Sequence, residues 1–387
     1  MNAEGFETRI VGGAVRNALL SEPAADVDLA TTALPQDTIR LVSRAGFKPV
    51  PTGVEHGTVT VVADGDVFEV TTLREDVETD GRRAVVQFGS SFEADAKRRD
   101  FTINALSVNE AGELFDYTDG LEDLRARRVR FIGDAATRIR EDYLRILRFF
   151  RFHSQYATGA PDREALHAAV AERDGLKTLS RERVRAEFLK LLGSRRSEET
   201  VTAFADYGFI ALLLGCALEL GRFRRTASRS PVERLASLCV FIEEDADRLR
   251  TSLRLSNAEH RALVNYARVV AKLHTTTQVD TAILRRLVVE RGLDAMTLAM
   301  TATQGEPRPD VTDEARAEIE RFRSDAGSIP AFPLRGADFT ALGVAKGPEV
   351  GALLAEARLR WLNDGCPMTD AYIRDLVQLV AVSCIKK

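Results

Sequence analysis

Apolar and polar positions along the chain fall into two regimes. Through about residue 75, short strand-like and helix-like signals alternate, the pattern of a mixed α/β unit. GGAVRNALL predicts a turn at Gly12-Gly13 that opens a helix, ADVDLATTA a strand, and PQDTIRLVSRAG a helix with Pro35 near its start and Gly46 at its stop. GTVTVVA and DVFEVTTL flank Asp64-Gly65 and predict an antiparallel hairpin, because Val59 and Val61 alternate with Thr58 and Thr60 around a turn dipeptide. The stretch from Arg74 to Lys97 is polar and mixed in charge, and predicts a mobile loop of a length that usually serves a function. After the strand-like VRFIG the pattern turns helical to the last residue. RERVRAEFLKLL sets Val184, Phe188, Leu191 and Leu192 on one stripe that must face other helices. RFRRTASRSP and QGEPRPD interrupt the periodicity and predict sub-domain seams. The fold class expected is α+β, a mixed or antiparallel sheet with helices on one side, followed by an all-α remainder.

Composition narrows the classes. With 387 residues, 45% of them hydrophobic, and 54 Lys+Arg against 58 Asp+Glu, the chain is expected to be a soluble protein of two to four domains. No run approaches the roughly 18 apolar residues of a membrane span, and MNAEGFETRI lacks a signal-peptide pattern, so a cytoplasmic location and no membrane partner are expected. Cys216, Cys239, Cys366 and Cys384 lack metal-ligand spacing and read as reduced thiols, at least two in apolar company. The net charge of -4 argues against indiscriminate coating of nucleic acid.

Candidate chemistry concentrates near the start. Asp26 and Asp28, two apart on the expected strand, would share a face, where two carboxylates repel unless a cation lies between them. Mg²⁺ suits that arrangement better than zinc, for which no Cys/His cluster exists. Solvent-facing pairs of this kind are common, so the pair alone is weak evidence. Gly12 and Gly13 precede a helix start whose free N–H groups attract phosphate, with Arg16 one turn on; a plain strand-to-helix turn competes with that reading. Glu69, between Phe68 and Val70, is a third acid or an edge charge facing water. His56 is read as bracing the hairpin, not as a general base.

VGGAVRNALL, DVDLATTA, PTGVEHGTVTV, FEVTTLRED, RRDFTINAL and EDYLRILRFFRF, in that order from about Arg9 to Leu192, resemble the class II tRNA nucleotidyltransferases, the family of bacterial CCA-adding enzymes and poly(A) polymerases. The resemblance implies that Asp26 and Asp28 hold two Mg²⁺ ions with Glu69 as associated carboxylate, activating an RNA 3′-hydroxyl and offsetting charge on pyrophosphate. It implies triphosphate contacts from Gly12, Gly13 and Arg16, and sugar and phosphate contacts from Arg99, Asp100 and Asn104. It assigns Asp142 and Arg145, i and i+3 on a helix, the recognition of C or A without a nucleic-acid template. A salt bridge of Glu141 with Arg145 is the competing reading. The implied partners are the tRNA 3′ end, CTP and ATP, with no obligatory protein partner.

Nine arginines between Arg125 and Arg151 face only Asp134, Glu141 and Asp142 within that segment, which therefore reads as the place where RNA phosphate is felt. Gly343, Gly347 and Gly351 read as a helix-turn-helix that grips backbone phosphate or as a plain hairpin. Asn17 stands where the family usually has an acid. The implied organisation is a nucleotidyltransferase head (1–135), a base-recognising neck (136–200), a body (201–303) and a tRNA-binding tail (304–387). Poly(A) polymerase, a partial enzyme adding only C or only A, and a non-catalytic RNA-binding protein are the alternatives; a sugar transferase would explain the aspartates but not the Arg-rich neck.

Overall fold

The computed structural model describes the chain apart from residues 24–25, 77–85, 308 and 386–387. It divides into two compact units, Met1–Phe209 and Ile210–Lys387. In the first unit the strands are β1 (Thr8–Val11), β2 (Asp28–Thr31), β3 (Lys48–Gly53), β4 (Thr58–Ala63), β5 (Asp66–Thr72), β6 (Arg74–Asp76), β7 (Val86–Phe88), β8 (Ser107–Val108) and β9 (Leu114–Phe115). Seven of them form one sheet in the order β3-β4-β5-β2-β1-β8-β9, and β6 pairs with β7 as a separate ribbon. Every neighbouring pair is antiparallel except β2 with β5, so the sheet is mixed.

The hairpin forms as its turn dipeptide predicts. Ala63 pairs with Asp66, and Asp64 (φ 53) and Gly65 (φ 93) both take the left-handed conformation that lets a two-residue turn match the strand twist. Val59, Val61 and Val70 bury one face of the sheet against Val42 of α2 (Pro35–Arg44), whose first residue is a proline with φ already set for a helix. Val11, Ala30, Leu73 and Phe92 form a second cluster. The remaining helices of this unit are α1 (Gly13–Leu19), α3 (Phe92–Lys97), α4 (Gly120–Arg125), α5 (Ala135–Glu141), α6 (Leu144–Tyr156), α7 (Arg163–Ala171), α8 (Arg181–Leu192) and α9 (Ser197–Asp206). Val184, Phe188, Leu191 and Leu192 of α8 are all buried, as the stripe requires.

Five expectations change. Asp26 lies ahead of β2, which begins at Asp28. The stretch expected as one loop opens and closes on the β6–β7 ribbon and continues into α3, where Ser91 Oγ accepts the Ala94 amide at 3.2 Å; its centre, 77–85, lies outside the described residues. VRFIG contributes a single bridge, Phe101 to Phe131, instead of a strand. In the second unit the helical run is interrupted where Gln278–Val279 pairs with Asp310–Val311. The two segments expected as seams are tied together there, since Arg222 is buried and bonds Glu306 at 2.9 Å. An arginine run reads as a polar break, yet a half-buried carboxylate partner makes the buried Arg222 a strut.

Candidate active site

The parallel register of β2 and β5 sets Asp28 opposite Glu69 and Leu29 opposite Val70. Partners in register share a face of the sheet, so while Leu29 and Val70 pack into the core, Asp28 and Glu69 project together from the other side. They line a cleft of about 270 Å³ with Arg74, Asp95, Arg98 and Arg99. Burial, and then the charge of Asp26, push the Asp28 carboxyl above its ordinary value, with Arg99 pulling the other way. A carboxyl that resists ionisation beside a second acid is a place where a cation gains. No three His, Cys, Asp or Glu side chains gather as a metal cage among the described residues. The fit is therefore that of a hard divalent cation held by one or two carboxylates and completed by substrate oxygens.

The turn before α1 is built on Gly12, whose φ of 68 and amide bond to the Leu106 carbonyl (3.0 Å) place the chain close beneath Arg99. A Cβ at Gly12 would lie 3.2 Å from Arg99 Nη1, so glycine serves both the conformation and the approach. Arg16, one turn on, is not a solvated arm. It is 6% exposed and donates to Tyr156 Oη (2.7 Å), to Asn17 Oδ1 (2.9 Å) and to Asn104 Oδ1, with its guanidinium over the Tyr156 ring. Burial lowers its pKa. Asn17 explains the missing acid: Oδ1 accepts from Arg16 and Tyr156 while Nδ2 donates to the Pro23 carbonyl (2.9 Å), and a carboxylate lacks that donor.

A polar chain runs from this turn to α6. Asn104 Nδ2 donates to Asp100 Oδ1 (3.2 Å), and Asp100 Oδ2 receives Arg148 Nε and Nη2, each at 2.6 Å. Asp100 and Asn104 are buried, and so are their neighbours Phe101 and Leu106, which sit in the core. The Phe101 ring lies tilted against Phe131 and edge-on to Phe152, with centroids 4.8 and 5.3 Å away. Beside them the Asp95 carboxylate, which burial alone would push up, is held below its usual value by Arg99 and Arg98.

Asp142 and Arg145 do not sit on one continuous helix. Asp142 (φ −156) ends α5 and α6 begins at Leu144, so the segment is an elbow. Asp142 Oδ2 accepts Arg183 Nη2 at 2.7 Å, and Arg145 bonds Glu141 and, at 2.8 Å, the Arg138 carbonyl. Arg145 Nε and Nη2 bond none of the described residues, leaving donors to spare. Tyr143 at the elbow rests on Gly175, where an added Cβ would lie 2.0 Å from its ring.

The Arg-rich stretch is less positive than its own sequence suggests. Arg128 and Arg130 pair with Asp123, Arg140 with Glu172, Arg148 with Asp100 and Arg151 with Glu187, while Arg138 and Arg145 share Glu141. Four of those acids lie outside the stretch. His56, expected as a brace, is 70% exposed beside Glu55. Gly343 lies in the turn between the helices Gly336–Thr340 and Pro348–Asn363, Gly347 caps the second, and Gly351 is inside it. Sequence reasoning missed Arg74, Arg148, Tyr156 and Arg183; Arg148, one turn beyond Arg145 on α6, was the most accessible of them.

Residues 8–130 match the poly A polymerase head domain, and residues 160–215 the probable RNA and SrmB-binding site of polymerase A. The chain is 36% identical over 372 residues to the mitochondrial CCA tRNA nucleotidyltransferase 1 of Danio rerio, covering 92% of this chain and 83% of that one. It is 43% identical to the CCA-adding enzyme of Streptococcus gordonii over 57% of this chain and 52% of that one. The crystal structure of the Bacillus stearothermophilus CCA-adding enzyme in complex with CTP superposes with a TM-score of 0.78 at 30% identity, over 100% of this chain and 96% of that one. With the acids of β2 and β5 in register on such a head, and kinship that runs through more than nine-tenths of its length, the chain belongs to the CCA tRNA nucleotidyltransferase family.

Proposed function

We propose that this chain is a template-independent nucleotidyltransferase that builds or repairs the 3′-terminal CCA of tRNA from CTP and ATP, releasing pyrophosphate. The observation that carries the reading is the placement of Asp28 against Glu69 in a cleft walled by Arg74, Arg98 and Arg99, in a chain whose relatives include a CCA-adding enzyme solved with CTP. Asp26 and Asp28, with Glu69 beside them, would hold Mg²⁺, which when bound lowers the pKa of an RNA hydroxyl and offsets phosphate charge. Arg99, set over the Gly12 turn, orients phosphate. Arg16, locked by Asn17, Asn104 and Tyr156, fixes the shape of that turn, and Asp100 and Asn104 present a rigid polar edge to the sugar.

Base choice falls to Asp142 and Arg145. A carboxylate accepts from the amino group of C or A, and a guanidinium donates to the ring nitrogen beside it; U and G offer the opposite polarity. Arg183 and Glu141 hold the pair in place when no base is bound. Residues 1–135 act as head, 136–200 as neck, 201–303 as body and 304–387 as the tail that grips tRNA.

The test supplies Mg²⁺, tRNA lacking CCA, CA or A, and CTP, ATP or both, and reads product length. Addition that stops at three nucleotides supports the reading, while long A-tails assign a poly(A) polymerase and no incorporation overturns it. Asp142→Ala with Arg145→Ala should keep incorporation and blur the CTP/ATP choice.

A further inference from the structure

Arg74 has an unanswered need. It is the first residue of β6, and its Nε is buried with no hydrogen-bond partner among the described residues. A buried donor left unpaired costs about 1–3 kcal/mol, more on a charged group, and such a vacancy calls for a ligand or a reason. The nearest carboxylate offers no relief: Asp95 gives Oδ1 to Arg98 and Oδ2 to Arg99. Burial and the charge of Arg98 both press the Arg74 pKa down, as expected of a cation crowded by cations. Three guanidiniums thus stand beside one carboxylate that two of them occupy, on the wall of the cleft that faces Asp28 and Glu69. The wall carries an excess of two positive charges, which a diphosphate matches better than a monophosphate or a carboxylate.

The backbone just before Arg74 is tied on both sides. The amide of Leu73, fully buried, donates to the carbonyl of Thr31 at 2.8 Å, and the carbonyl of Leu73 accepts the Gly89 amide at 2.8 Å. Arg74 thereby follows two residues after the last ladder pair, Thr31–Thr72, and five after Glu69.

We propose that the Arg74 guanidinium binds the β,γ-diphosphate of the incoming nucleotide and holds the pyrophosphate as it leaves. The inference rests on the nucleotidyl-transfer reading above. In that transfer the RNA O3′ bonds to the α-phosphorus, the bond from the α-phosphorus to the bridging oxygen breaks, and pyrophosphate departs with the electron pair while the hydroxyl proton passes to solvent. Arg74 donates hydrogen bonds throughout and exchanges no proton.

Arg74→Gln keeps the bulk and removes the charge. With tRNA ending in CC and ATP, and with tRNA lacking CCA and CTP, it should raise KM for both nucleotides and Ki for inorganic pyrophosphate together, by about tenfold, or about 1.4 kcal/mol. KM for tRNA, the C-to-A selectivity and inhibition by CMP, which carries no diphosphate, should stay as in the wild type. Arg74→Lys, with a point charge but no fork, should lie between the two, and serves alone if the Gln variant does not fold. Pyrophosphate inhibition within twofold of wild type in the folded variant overturns the proposal, as does a rise confined to KM for tRNA or an equal weakening of CMP. A wild-type protein that incorporates nothing would sink the underlying function instead.

Discussion

Asp100→Asn isolates the joint between the sheet and α6. The substitution keeps the shape and leaves the Phe101 amide an acceptor, but removes the charge that Arg148 meets with two nitrogens at 2.6 Å. The Asp100 side chain is 10% exposed and that of Arg148 32%. Breaking a fully buried pair costs about 3–5 kcal/mol and an exposed one about 0–1, so water reaching Arg148 sets the coupling near 2 kcal/mol. A double-mutant cycle with Arg148→Met measures it. The one tryptophan, Trp361, belongs to the second unit, so its fluorescence follows the wrong part of the molecule. Hydrogen exchange of the α6 amides across a urea series reads the right one. Asp100→Asn should cost about 2–3 kcal/mol alone and almost nothing in the Arg148→Met background. A coupling below about 0.5 kcal/mol would refute the claim that this pair joins the two parts.

Two further outcomes follow from the same packing. Gly175→Ala must displace Tyr143, since no room exists for its methyl group, and should destabilise the first unit by about 1–3 kcal/mol and impair base choice through Asp142; a variant as stable as wild type would show the contact to be slack. Burial, and then Arg196, push His153 from its ordinary 6.5 down to about 4, so between those values the unfolded chain binds the extra proton and stability falls as pH falls. That interval is worth about 3 kcal/mol, and a His153→Gln variant should show a correspondingly flatter acid limb in denaturation; an unchanged limb would assign the loss to other groups.

How much was legible depended on the distance over which each residue finds its partner. The β4–β5 hairpin is dictated by a dipeptide and an alternation, and both are local. The acids at 26, 28 and 69 were legible as chemistry. The grouping of Glu69 with Asp28 was legible only through the resemblance, since the parallel pairing that makes it spans 41 residues, and the position of Asp26 outside the strand was not. EDYLR reads as unbroken helix because nothing in it is a breaker, and the elbow at Asp142 depends on Arg183, 41 residues on, and on the glycine beneath Tyr143. The arginines between 125 and 151 looked uncompensated because Asp100, Asp123, Glu172 and Glu187 lie outside that stretch and are brought to it by the fold. The Asn104–Arg16–Tyr156 contact spans most of the unit, beyond the reach of any short motif.

The single parallel pairing in the main sheet has a consequence for the order in which the protein comes into being. Asp28 and Glu69 are brought together by strands that flank β3 and β4 in sequence, so the pair needs the whole chain between them. Closing so long a loop is entropically late, whereas the hairpin needs no such closure. A chain emerging in order therefore keeps Asp28 apart from Glu69 until β5 is made, with β8 and β9 of the same sheet still to follow.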